Sequence, residues 1–261
     1  MSSYVWGLVL RTMVHKSSHT RRTTKKYPVP LCLSVFFCFA ILAISVDSQP
    51  RFERTYAPQR HAHLTISNVN GSIHVVSWDK KTIHARANAA PYVSIEDKVN
   101  GDDITISTKR NLRLGRADFD VSVPPETSLT IKNIVGNIEL RGITGHVSVH
   151  SIDSDVRLVK VNSPAVDVIV TSGDIFFEGE LHEGGSYSLQ SMKGDLDVTL
   201  PSATPFNLNA RALSENINLG SFLSSLSGSS RGPKGVSGTY LKGGSRLTLT
   251  AYAGRILLHK K

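Results

Sequence analysis

Beyond residue 38 the chain has no cysteine; the two it contains, Cys32 and Cys38, both lie in an apolar N-terminal run. The rest therefore has no disulfide to staple it and no thiol to act as nucleophile or metal ligand. Aromatic residues make up only 7% of the chain, which leaves few platforms for sugar rings, and they do not interleave with basic residues. Dense charge is also missing. Of 30 Lys+Arg, six (Arg11, Lys16, Arg21, Arg22, Lys25 and Lys26) fall in the first 50 residues, where the single acid is Asp47. The small basic surplus that remains is spread without a stripe, so nucleic acid is not an expected partner. No zinc-protease histidine pair, phosphate-binding loop, dinucleotide fingerprint or nucleophile elbow is present, so no enzyme activity is expected from motifs.

What the N-terminus does contain is residues 31–46, LCLSVFFCFAILAISV, 16 residues without a charge. Basic residues precede this run, and Asp47, Ser48, Gln49 and Pro50 follow it. Positive flank, short apolar stretch and polar exit form the pattern of a secretory signal, with Val46 and Ser48 at the small positions before a cut. The run is short for a membrane-crossing helix of about 20 residues, yet it also suits an uncleaved anchor. The basic flank should stay cytoplasmic and send the remainder across the membrane. Residues 1–50 are read as a signal peptide or membrane anchor, an apolar helix, and 51–261 as one exported β-repeat domain. The expected location is periplasmic, membrane-anchored or at the cell surface.

Beyond residue 60 apolar and polar residues alternate, as in half-buried strands. A unit recurs: two apolar residues two apart, a turn residue five positions later, then apolar residues at plus two and plus four. Copies are Leu64, Ile66, Gly71, Ile73, Val75; Leu129, Ile131, Gly136, Ile138, Leu140; and Val147, Val149, Ser154, Val156, Leu158. Others centre on Gly173, Gly194, Glu215 and Gly254, and looser units are expected around Ile95, Ile104, Ile106 and Val121. Each unit of about 20 residues is two short strands joined at a bend, too small to bury its apolar face alone. An all-β, β-solenoid-like stack follows, with nine or ten rungs about 4.8 Å apart in a rod of roughly 45 Å. The alternative is an antiparallel β-sandwich of hairpins, for which Asn70-Gly71 is a turn signal. Residues 220–245, rich in Gly and Ser, are expected to form a surface loop before the last rung, and a place for a partner to touch.

The stretch 118–158 resembles a bacterial family of β-strand-repeat proteins known as putative adhesins, a domain of unknown function. Val123-Pro124 and Leu200-Pro201 match its strand endings, and Gly173-Asp174-Ile175 and Gly194-Asp195-Leu196 match its turns. The resemblance extends over roughly 60–261. It implies a non-enzymatic envelope or surface binding module, with a glycan or protein as ligand, and transfers no catalytic residues.

One column of residues stands out. After the turn position come Asn137, Asp155, Asp174, Asp195 and Asn216, side chains that bond nearby amides. Stacked in register, Asp155, Asp174 and Asp195 would lie about 5 Å apart, repelling by roughly 3 kcal/mol per pair at an effective dielectric of about 20. Bound Ca2+ would relieve this, which makes the three a candidate metal site. His61 with His63, and His146 with His150, are each spaced to share a strand face but lack a third ligand. The acids Asp153, Asp155, Asp174, Glu178, Asp195 and Asp197 leave open a polysaccharide-acting β-helix enzyme. A structural or sensing envelope protein is a further alternative, although the ending His259, Lys260, Lys261 reads as a charged guard against end-to-end growth.

Overall fold

The alternating runs fold as strands because one side of each is Val, Ile, Leu or Phe, which pack well on a pleated surface, and the other is polar. The computed structural model describes residues 52–59, 61–109, 115–214 and 216–261. The expected N-terminal signal or anchor helix, both cysteines and Glu215 lie outside the described residues.

In chain order the strands are β1 (Phe52–Tyr56), β2 (His63–Asn70), β3 (Ile73–Ser77), β4 (Ile83–Ala89), β5 (Ile95–Asn100), β6 (Asp103–Thr108) and β7 (Ala117–Val123). Then come β8 (Ser128–Val135), β9 (Ile138–Arg141), β10 (Val147–Asp153), β11 (Val156–Val161), β12 (Ala165–Ser172), β13 (Ile175–Gly179), β14 (Ser186–Lys193) and β15 (Leu196–Leu200). β16 (Phe206–Ala212) and β17 (Ile217–Asn218) precede a 3-10 helix, Gly220–Ser225. The chain ends with β18 (Leu226–Gly232), β19 (Gly235–Tyr240), β20 (Ser245–Ala253) and β21 (Ile256–Lys260).

Two sheets face each other. Sheet A runs β1-β4-β7-β3-β9-β11-β13-β15-β21-β17, and sheet B runs β18-β19-β16-β20-β14-β12-β10-β8-β2-β6-β5. Each repeat places its first strand in sheet B and its second in sheet A, and like strands of adjacent repeats pair in parallel, as β10 does with β8 and β12. This is a solenoid-like stack. The hairpin alternative fails at its best signal: β2 and β3, on either side of Asn70-Gly71, lie in different sheets. Repeat strands turn one apolar row after another inward, so Leu64, Leu129, Val147, Val166, Tyr187 and Leu247 form one buried line across sheet B. At roughly 1.5–3 kcal/mol per buried aliphatic side chain, a rung gains this only when neighbours cover it.

Rung order departs from chain order at both ends. β2/β3 lies between β6/β7 and β8/β9, and the final pair β20/β21 lies between β14/β15 and β16/β17. The described residues thus form eight two-strand rungs rather than nine or ten. Between 71 and 136 the looser units yield one rung, β6/β7; the rest become β4 and β5, which pair antiparallel with it. Residues 220–245 are no loop. They form the 3-10 helix and the hairpin β18/β19, which adds antiparallel to β16 and extends sheet B. Phe222, fully buried, anchors this cap edge-on to Phe206 (5.4 Å) and Tyr240 (4.8 Å). The last strand is not an open edge either, because β15 and β17 flank β21. Its cations are engaged locally: His259 stands 3.5 Å from Asp197, and Lys261 2.7 Å from Glu178.

The bends carry a steric column. A Cβ on Gly136 would stand 2.3 Å from the Gly71 carbonyl oxygen, and one on Gly194 2.0 Å from that of Gly173. Rungs this close leave no room for a side chain. Where Ser154 replaces glycine, it is buried and bonded to Ser151. Behind the bends, buried polar side chains satisfy carbonyls that the corner pulls out of the ladder. Asn68 Nδ2 donates to Ala117 O at 2.9 Å, Asn133 Nδ2 to Gly136 O at 2.9 Å, and Ser191 Oγ to Gly173 O at 3.0 Å.

Candidate functional site

Stacking in register brings the post-turn column together as expected. Asp155 Oδ1 accepts the Asp174 amide (2.9 Å), Asp174 Oδ1 the Asp195 amide (2.7 Å), and Asp195 Oδ1 the Arg255 amide (2.7 Å). Asp118 does the same for Ser72 at 2.8 Å, a member of the column that the repeat pattern did not reveal. Each carboxylate therefore caps the neighbouring rung, an arrangement that needs one rung per side chain and cannot form within a single unit. Asp195 also takes the Arg255 guanidinium, Nη2 at 2.5 Å and Nε at 2.9 Å. That bond, opposed by partial burial, holds the Asp195 carboxyl below its ordinary range. For Asp118 burial pushes upward, but the Arg116 guanidinium and the Ser72 amide together outweigh it and the carboxyl titrates low. Asp155, Asp174 and Asp195 line one shallow groove of about 320 Å³ with Arg157, Phe176 and Arg255. Among the described residues no group of three or more His, Cys, Asp or Glu side chains is placed to hold a metal ion. The repulsion that suggested Ca2+ is met here by backbone amides and by Arg255.

Two acids outside the column are similarly engaged. Glu178 is held low first by its bond to Lys261, and Glu96 by Lys109. Displacement downward by a neighbouring cation is the mark of an ion pair; a general acid needs the opposite. His61 lies in the loop before β2 and His146 in the loop before β10. His63 instead meets Thr130 Oγ1 (2.9 Å) and Asp103 (3.4 Å), while His150 meets Ser148 (3.2 Å).

The larger hollow lies on the outer face of sheet B, where no motif pointed. It crosses β2, β8, β10, β12 and β14 as an open groove of about 560 Å³. Its floor is small and mostly hydroxylated (Ser128, Thr130, Ser148, Ala165, Ser186, Ser188), and His63, His146 and Asp167 stand among the lining residues. These positions are the outward residues of the repeat. Leu129, Ile131, Val147 and Val149 face in, so the residues between them face out. Ser and Thr hydroxyls both donate and accept, at the spacing of the rungs.

A second feature of this face runs beside the bends. Register places Val69, Ile134, Ile152, Thr171, Met192, Tyr252 and Leu213 side by side on seven successive strands. Ile152 is 53% exposed, Leu213 49% and Met192 42%, while Val69 and Ile134 are half-buried and Thr171 interrupts the apolar row. The repeat pattern hid it, because each member falls three positions after its unit's second inward residue, outside the alternating motif.

Two crystal structures resemble the chain distantly. A putative cell adhesion protein from Clostridium sporogenes ATCC 15579 shares 13% identity and a TM-score of 0.46, covering 82% of this chain and 100% of its own. A putative adhesin from Bacteroides fragilis NCTC 9343 shares 11% identity and a TM-score of 0.32, covering 80% and 99%. No curated protein is a significant match. The family described as Toastrack DUF4097 matches residues 55–242. With its repeat, its two facing sheets and that match, the chain belongs to the Toastrack DUF4097 family.

Proposed function

We propose that this chain is a non-enzymatic binding module of the bacterial cell envelope, exported or anchored by its N-terminal segment, that presents the outer face of sheet B to a surface ligand. The groove over β2, β8, β10, β12 and β14 carries the reading. It is broad, shallow and paved with hydroxyls, and it lies on a rigid stack of parallel strands. Its lining includes neither Lys nor Arg and a single carboxylate, Asp167, a composition suited to hydrogen-bonded recognition of a neutral surface such as a glycan or a polar protein face. Acid–base chemistry would need carboxylates with titration pushed apart, whereas Glu96, Asp118, Glu178 and Asp195 are all held low by cationic neighbours.

Two measurements test this reading. Proteolysis of intact against permeabilised cells should digest the β domain on intact cells if it faces outward. Digestion only after permeabilisation would place it in the periplasm, where a structural or sensing role is favoured, and cytoplasmic fractionation would overturn export. On a panel of immobilised neutral glycans, Ser148→Trp, which fills the groove floor, should abolish binding shown by the parent chain. Binding that survives the tryptophan would move the site elsewhere.

A further inference from the structure

We propose that the ligand of sheet B is an extended, uncharged polysaccharide chain that lies across the strands, along the stack, with one sugar on each rung; this rests on the groove being the binding site. Register sets six hydroxyls in one outward line: Thr105 on β6, Thr65 on β2, Thr130 on β8, Ser148 on β10, Ser188 on β14 and Thr248 on β20. Asp167 on β12 fills the place between Ser148 and Ser188, and Asn209 on β16 ends the line. These eight strands are all parallel to their neighbours. Seven steps of about 4.8 Å make the line roughly 34 Å long. It therefore runs past both ends of the groove, onto β6 at one and β20 and β16 at the other.

A face turned only to water does not require such a line, and the molecule carries its own comparison. On the outer face of sheet A the equivalent row reads Glu53, Arg86, Asp120, His74, Glu139, Arg157 on six successive strands. Signs alternate there from strand to strand, and neighbours pair, Arg86 with Glu53 at 3.6 Å and His74 with Asp120 at 3.5 Å. On sheet B the hydroxyls of Thr105, Thr65, Ser188 and Thr248 make no hydrogen bond among the described residues. Each can both donate and accept, as the hydroxyls of a sugar do. A pyranose linked through opposite equatorial positions advances its chain by nearly one rung step, so successive sugars meet successive hydroxyls. A branched or coiled glycan loses that match after a rung or two. Asp167, with His150 Nε2 4.0 Å away, accepts sugar hydroxyls at mid-line and repels an acidic polymer. A protein partner would call for an aromatic or arginine anchor at the centre of contact, and the line supplies no apolar pocket to seat one.

The test is calorimetric titration of the full chain, held in a zwitterionic detergent, with β-1,4-linked cello-oligosaccharides of two to six sugars. Affinity should rise about fivefold for each added sugar, the worth of one net hydrogen bond. Thr130→Val and Ser188→Ala each remove one hydroxyl and little else, on strands three rung steps, roughly 14 Å, apart. Each should weaken the hexasaccharide about fivefold and the two together about 25-fold, because separate sugars of one chain meet them. The disaccharide, which reaches two neighbouring rungs and can use others, should be nearly indifferent to both, and Ser122→Val on the outer face of sheet A should change neither. The hexasaccharide with its primary alcohols oxidised to carboxylates should bind severalfold more weakly. Affinity that stays level with length, or a hexasaccharide indifferent to both substitutions, overturns a chain laid across the rungs. Tighter binding of the oxidised chain overturns the uncharged ligand. Should the cello-oligosaccharides fail while other neutral glycans of the immobilised panel bind, the extended chain is overturned and the groove reading stands; should the whole panel fail, both fall.

Discussion

Replacing Gly173 by alanine tests the claim that rung spacing, more than turn conformation, dictates glycine at the bends. Gly173 has φ +132°, and an added Cβ would lie 2.1 Å from the Ser154 carbonyl oxygen, a backbone atom that moves only if the rungs separate. The disallowed dihedral costs about 1–3 kcal/mol. Separation also weakens the bond from the Ser154 amide to Ser172 O (2.9 Å) and that from the Asp174 amide to Asp155 (2.9 Å), at about 1 kcal/mol each. The expected loss is about 3–5 kcal/mol, which for a domain of this size lowers Tm by roughly 10–15 °C. Gly184→Ala is the reference. Its φ is also positive (+71°), but nothing lies within 4 Å of its added Cβ, so only about 1 kcal/mol is expected. Thermal unfolding followed by circular dichroism compares the two. Equal shifts within about 1 kcal/mol would refute the steric argument and leave the dihedral as the whole reason for glycine.

Three further outcomes follow from named contacts. Asn133→Ala strips donors from the buried carbonyls of Gly71 and Gly136 and should cost about 2 kcal/mol in a denaturant titration, against little for the exposed Asn137→Ala. Phe222→Ala removes the ring that holds the C-terminal cap on Phe206 and Tyr240, at about 3–5 kcal/mol; limited proteolysis should then cut first within β18/β19, and uniform cleavage would contradict a local cap. Asp195 titrates below the usual carboxylate range, so its stabilisation is present above about pH 4 and is lost as pH falls through the depressed value. Asp195→Asn should flatten that acid limb of Tm, and because amides and Arg255 already engage the column, millimolar calcium or chelator should leave Tm unchanged. A rise of several degrees with calcium would make the column a metal site after all.

The repeat was legible because inward positions such as Leu129, Ile131, Ile138 and Leu140 must be apolar wherever a unit is stacked, whatever its neighbours are. The aspartate column was legible for the same reason, since Asp155, Asp174 and Asp195 each hold one place in a unit. Their role was not: whether a carboxylate repels its neighbour or caps its neighbour's amide depends on distances between units that spacing within a unit does not encode. The stretch 220–245 misled because Gly and Ser are as compatible with an edge hairpin as with a loop, and the residues that decide it, Phe222 and Tyr240, act through Phe206, which precedes the stretch.

Period, alternation and bend chemistry were therefore properties of the chain alone: they arise from contacts that recur every 20 residues or so and leave the same mark in each copy. The order of rungs was decided only in three dimensions. Any rung presents nearly the same apolar lines and parallel edge, so the sequence does not say that β20/β21 enters between β14/β15 and β16/β17; the antiparallel partner β19 occupies the far side of β16 and leaves that slot for it. The groove floor and the apolar row have the same origin. Outward residues are unconstrained within a unit, and only the shared register of successive strands turns Ser148 and Ser188, or Ile152 and Met192, into a surface.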